Sequence, residues 1–109
     1  MLFRRSGIDV ATAHQRQGDG VMLIDVRSKN EWRSGHVPGA THVSLESLPQ
    51  RIEWLRKAAA DTEVMVICRS GNRSAQATKQ LSAAGVGAVN VRGGMVAWER
   101  VGLPVKKGS

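Results

Sequence analysis

The chain has one cysteine, Cys68, and this excludes any disulfide within it. Tyrosine is absent and phenylalanine occurs once, which leaves little from which to build a stacking platform for nucleic-acid bases. No apolar run approaches the ~20 residues needed to cross a bilayer as a helix, so no membrane partner is expected. His14, His36 and His42 show no paired ligand spacing and the lone cysteine has no second thiol beside it, so no metal site is expected. The opening Met1-Leu2-Phe3-Arg4-Arg5 is not followed by the apolar stretch and small-residue cleavage site of a secretory signal. An unpaired thiol fits a reducing compartment, and the expected location is the cytoplasm.

Acidic residues are scarce beside basic ones: 9 against 16, for a net charge of +7. The basic residues are scattered, and no nucleic-acid module accompanies them. The surface therefore reads as one that steers small anions, with nucleic acid not the main partner. The 109 residues, 41% hydrophobic and 23% charged, suit a single domain over residues 1–109 with its core at about 8–105.

Strands and helices alternate along the chain. Ile8 to Gln17 reads as a short helix with Asp9 as its N-cap. Val21 to Val26 is an apolar run of the kind found in parallel strands covered on both faces, broken by Asp25. Ser28 and Glu31 have capping-box spacing before a short helix that Gly35 ends. Leu45, Leu48, Ile52, Leu55 and Ala59 define one amphipathic helix, with Pro49 in its first turn and Trp54 beside its stripe as core or partial cover. Val64 to Ile67 is a strand, Ser74 to Ala84 a helix, Ala88 to Val91 a last short strand, and Met95 to Arg100 a closing helix anchored by Trp98. Lys106 to Ser109 is expected to fray. The pattern is α/β with a mainly parallel sheet.

Cys68 falls at the carboxyl end of the Val64–Ile67 strand, and its loop runs straight into a helix N-terminus. The first N–H groups of a helix lack intrahelical partners and carry partial positive charge. Together with the guanidinium groups of Arg69 and Arg73, they are expected to favour the thiolate of Cys68. Gly71 and Asn72 let the loop curl so that successive N–H groups turn inward, giving an anion cradle with a nucleophile at its floor. The competing reading is a buried structural cysteine. Asp25, at the carboxyl end of its own strand, is either a base or a support paired with Arg27 or with loop N–H groups, and the repulsion between a carboxylate and an incoming dianion favours support. His36 is likewise read as a hydrogen-bonding residue ahead of a general base.

Cys68-Arg69-Ser70-Gly71-Asn72-Arg73 resembles the active loop of the single-domain rhodaneses, a sulfurtransferase family. A cysteine phosphatase loop has one residue more before its arginine, and here Ser74 stands in that arginine's place. Two further signatures resemble the family: Asp25-Val26-Arg27 with Glu31-Trp32 and Gly35-His36-Val37-Pro38-Gly39-Ala40, and Gly93-Gly94-Met95-Val96-Ala97-Trp98 with Gly102-Leu103-Pro104. The resemblance implies a rhodanese-like α/β fold, a central mainly parallel five-stranded sheet flanked by helices on both faces. It also implies a persulfide formed on Cys68 and held by Arg69, Ser70, Gly71, Asn72, Arg73 and Ser74, with Asp25 and Arg27 in support and no cofactor. The expected partners are a small anionic sulfur donor such as thiosulfate and a thiol or cyanide acceptor. Alternatives are a sulfur relay to a protein acceptor, a rhodanese-like interaction module, and a small cysteine phosphatase or arsenate reductase.

Overall fold

The structure, a computed structural model, describes residues 7–109, and the Met1–Arg5 segment lies outside them. Asp9 caps the first helix, α1 (Val10–Gly18), by accepting the Thr12 N–H at 2.8 Å. Strand β1 (Leu23–Asp25) is shorter than the apolar run that contains it. The Val21 N–H is already spent on Arg16 O at the end of α1, so pairing starts later. The capping box forms at α2 (Lys29–Ser34): Ser28 Oγ accepts the Glu31 N–H, and Glu31 Oε1 accepts the Ser28 N–H.

After β2 (Thr41–His42) the expected single amphipathic helix is split into a 3-10 turn, Leu45–Ser47, and α3 (Leu48–Ala58). Pro49 is the physical reason. Its ring would collide with the carbonyl of Leu45 in a continuous helix, but it is tolerated in a first turn. Ser44 Oγ then caps the short turn by accepting the Ser47 N–H. The remaining elements are β3 (Val64–Ile67), α4 (Asn72–Ala83), β4 (Ala88–Asn90) and α5 (Gly94–Arg100).

The strands pair in the order β2-β1-β3-β4, all parallel. Among the described residues the sheet thus has four strands and not the five expected. At the β4 edge Ile8 makes one parallel bridge to Val91, donating its N–H to Asn90 O and accepting the Arg92 N–H, each at 2.8 Å. That bridge is too short to count as a strand.

Alternation along β3 builds two cores, one on each face of the sheet. Val64 and Val66 join Leu48, Leu55, Ala77 and Leu81 under α3 and α4. Met65 and Ile67 join Val10, Ala13, Met95 and Trp98 under α1 and α5. All four β3 side chains are fully buried, as expected for a strand with helices on both faces. Trp98 is buried too, and its indole N–H donates to Pro104 O at 2.8 Å, which satisfies the one polar atom of a large core side chain. Trp54 is 43% exposed, with the Arg51 guanidinium 4.8 Å above its ring.

The expected frayed tail is tied down instead. Lys106 and His36 exchange both backbone hydrogen bonds, at 2.8 and 2.9 Å, and the Gly108 N–H donates to Arg33 O. Unpaired backbone groups find partners on the loop after α2, a long-range pairing that no local sequence pattern announces.

Candidate active site

Strand order fixes where a crevice must open. From β1 the chain moves to one side to form β2, then crosses back to form β3 on the other. At such a switch point the loops leaving the carboxyl ends of the two strands diverge, and the space between them is where open α/β sheets take ligands. Asp25-Val26-Arg27 leaves β1 at this point and Cys68–Ser74 leaves β3, with Asp25 and Ile67 in register across the pair.

Cys68 continues the alternation of Val64 and Val66, so its side chain turns toward α4 and is 1% exposed. The sulfur nevertheless has polar partners. The Gly71 N–H donates to Sγ at 3.1 Å, and Ser74 Oγ lies 3.2 Å away on the first turn of α4. Burial pushes the thiol pKa up. The hydroxyl and N–H of Ser74, with the N–H groups of Gly71 and Ser70, outweigh it, and the thiol lies below its ordinary value. The competing descriptions from sequence therefore meet: the cysteine is buried, and its sulfur faces donors. Gly71 at φ +111° provides the left-handed turn that aims its N–H inward.

The loop rests on the start of α5. Met95 and Val96 donate their N–H groups to Cys68 O at 2.8 Å and Arg69 O at 3.0 Å. A Cβ at Gly94 would run into the carbonyls of both Cys68 and Arg69, and Gly94 has φ +54°. Only glycine lets the α5 backbone approach this closely, and the helix's unpartnered first N–H groups are thereby used to hold the loop.

The charged residues are largely engaged with one another. Arg27 grips Asp25 through Nε at 3.0 Å and Nη2 at 2.8 Å and reaches on to Gly35 O at 2.7 Å. Both side chains of this pair are buried. Arg73 makes a two-pronged contact with Glu31 at 2.7 and 2.9 Å, which holds the Glu31 carboxyl at about 2 against an ordinary 4.5. The same pairing raises Arg73, with smaller contributions from Cys68 and Asp25. Arg69, Ser70 and Asn72 lie exposed over the buried sulfur. His36 stacks on Trp32 with centroids 3.6 Å apart, and its Nδ1 lies 2.8 Å from Trp32 O.

Beside the loop, Arg27, Asn30, Glu31, Ser34, Gly35, Arg69 and Glu99 line a cavity of about 340 Å³. A larger one of about 780 Å³ lies at the opposite, amino end of β1 and β2, among Gln15, Met22, Pro38 and Thr41. Among the described residues no three His, Cys, Asp or Glu side chains gather as a metal site, and no helix is long and apolar enough to cross a membrane. Two contributors at the loop were not singled out from sequence. The sequence marks Glu31 as a capping residue and as part of a family signature, and Asn90 as part of a strand, but neither as a partner of the 69–74 loop. Asn90 Oδ1 lies 2.5 Å from Ser74 Oγ, and its Nδ2 donates to Gly71 O at 3.3 Å.

Comparison with known proteins places the chain in a family and agrees with its fold. The profile of the Rhodanese-like domain matches residues 9–101, and the chain belongs to that family. A protein of Allochromatium vinosum named sulfurtransferase is 40% identical over 101 residues, covering 90% of this chain and 92% of its own. The crystal structure of a rhodanese-related protein from Thermoplasma volcanium superposes with a TM-score of 0.83 at 29% identity, over 94% of this chain and 98% of that one. A rhodanese-like domain protein from Staphylococcus aureus gives 0.82 at 28% identity, over 96% and 100%.

Proposed function

We propose that this protein is a sulfurtransferase that carries a sulfane sulfur on Cys68, taking it from thiosulfate or a persulfide donor and passing it to a thiol or cyanide. The single observation that carries the reading is the set of donors converging on a sulfur whose pKa they lower. The Cys68 thiolate attacks the outer sulfur of thiosulfate. A new S–S bond forms, the old one breaks, and sulfite leaves with the bonding pair, so three negative charges enter and three leave. Cyanide or a thiolate then attacks the outer sulfur of the Cys68 persulfide, returning the thiolate and releasing thiocyanate or a new persulfide.

In this reading the inward N–H groups of the 69–74 loop hold the charge of the persulfide as they hold that of the thiolate. Arg69, Ser70 and Asn72 form the surface through which the donor enters, and the net charge of +7 favours its approach. Asp25 and Arg27 act as a strut beneath the loop's neighbour. No organic cofactor enters these steps, because the cysteine sulfur is the carrier.

The assay runs thiosulfate with cyanide beside p-nitrophenyl phosphate. Thiocyanate is expected from the first and no nitrophenol from the second, and Cys68→Ser is expected to reduce thiocyanate formation to background while keeping the far-UV spectrum. Phosphate-ester turnover alone, or full activity in Cys68→Ser, overturns the proposal.

A further inference from the structure

The Ser74 hydroxyl has one proton and two claimants. Cys68 Sγ lies 3.2 Å from its oxygen on one side, and Asn90 Oδ1 lies 2.5 Å from it on the other. The orientation of the amide follows from its second contact. With Nδ2 toward Gly71 O it donates at 3.3 Å, whereas the flipped amide would set two acceptors against each other there. Asn90 therefore presents a carbonyl oxygen to Ser74, and that oxygen only accepts. Its backbone is pinned as well, because Asn90 O takes the Ile8 N–H and the Val91 N–H goes to Val66 O.

We propose that Asn90 is a positioning residue that competes with the Cys68 sulfur for the Ser74 proton and so sets how readily that sulfur ionises. With a neutral thiol, S–H donates to Ser74 Oγ, whose own proton goes to Asn90 Oδ1, and every group is satisfied. With a thiolate, the hydroxyl turns to donate to sulfur, and Asn90 Oδ1 loses its donor. The half-buried oxygen that loses this donor is the cost of ionisation. Asn90 thereby holds back a charge that Gly71 and Ser74 favour. The proposal rests on the reading of Cys68 as the reacting nucleophile and assigns a role to a residue on β4 that lies outside the loop.

The charged groups facing this chain from neighbouring elements are Arg73 with Glu31, Arg27 with Asp25, Arg69 on the loop and Lys79 of α4, which lines a cavity with Asn90, while Arg92 beyond β4 faces Asp9. None is altered in the variants below. Asn90 is half-buried, so shortening it opens no sealed void in the core.

The test is the pH profile of Cys68 alkylation by iodoacetamide in the intact protein, with circular dichroism as the folding control. Asn90→Ala frees the Ser74 proton for the thiolate, and the profile is expected to move to lower pH, raising the rate at pH 6 about threefold, the size of one ordinary hydrogen bond. Asn90→Asp adds a stronger acceptor and a negative charge, and its profile is expected to move to higher pH. In a Ser74→Ala background, where no proton is contested, Asn90→Ala is expected to change nothing. An Asn90→Ala profile that is unmoved or moves to higher pH overturns the proposal, as does the same shift with and without Ser74. Asn90→Asp moving to lower pH overturns it independently should Asn90→Ala fail to fold. A wild-type Cys68 that does not alkylate at all is a different result and removes the underlying nucleophile instead.

Discussion

Two loops leave the carboxyl end of the sheet side by side, and they are held by opposite means. The loop after β1 is fixed by charge: Arg27 and Asp25 form a buried ion pair whose spare donor goes to Gly35 O. The loop after β3 is fixed around sulfur by neutral donors, the Gly71 N–H and the Ser74 hydroxyl, with α5 N–H groups holding its carbonyls. Arg73, in the second loop, has its guanidinium on Glu31. Charge is thus used where two loops are braced against each other, and neutral dipoles where the sulfur sits. Oriented N–H groups favour charge without fixing it in one state.

The largest expected effect breaks the charged side of this contrast. Arg27→Met leaves Asp25 buried and unpaired, and urea denaturation is expected to show a loss of about 3–5 kcal/mol. A loss below about 1 kcal/mol, the range of an exposed pair, would mean that the strut is not structural.

Breaking the neutral side is expected to alter reactivity more than stability. Ser74→Ala removes the hydroxyl donor and should slow Cys68 alkylation at pH 6 about tenfold, as expected for a hydrogen bond to a charged group. Arg73→Ala should slow it by less, because the guanidinium is held by Glu31. The reverse ranking would return the main role to the cation.

The smallest effect concerns Glu31. Its pKa is depressed from 4.5 to about 2 by Arg73, so the stability it contributes is full above pH 4.5 and disappears as pH falls through about 2. Glu31→Gln is expected to cost about 0.5–1 kcal/mol at pH 7, the modest value of a pair whose side chains are 37% and 30% exposed. The difference from wild type should close between pH 4.5 and pH 2, and a gap that persists there would assign the effect to packing.

What was legible in the sequence was local. Val64 to Ile67 reads as a strand because four adjacent apolar side chains must be covered on both faces, and Cys68 inherits its position from that strand. Asp9 and the Ser28–Glu31 box mark helix starts through contacts three residues apart. The partners missed were distant: Glu31 lies 42 residues from Arg73, and Asn90 lies 16 from Ser74. Glu31 also serves two partners with one carboxylate, and its capping role, which is visible locally, hid the other. The Gly93-Gly94 pair did carry a signal, a backbone approaching something closely. That the something is the Cys68 carbonyl follows only from the fold. The fifth strand came from the family resemblance, and the described residues supply a single Ile8 bridge in its place.

The most direct test of the central claim, that a buried sulfur ringed by neutral donors takes up one more sulfur atom, is the intact mass of the protein after incubation with thiosulfate. A gain of about 32 Da, removed by cyanide and absent in Cys68→Ser, is the persulfide the account predicts. An unchanged mass in protein whose Cys68 still alkylates would contradict it.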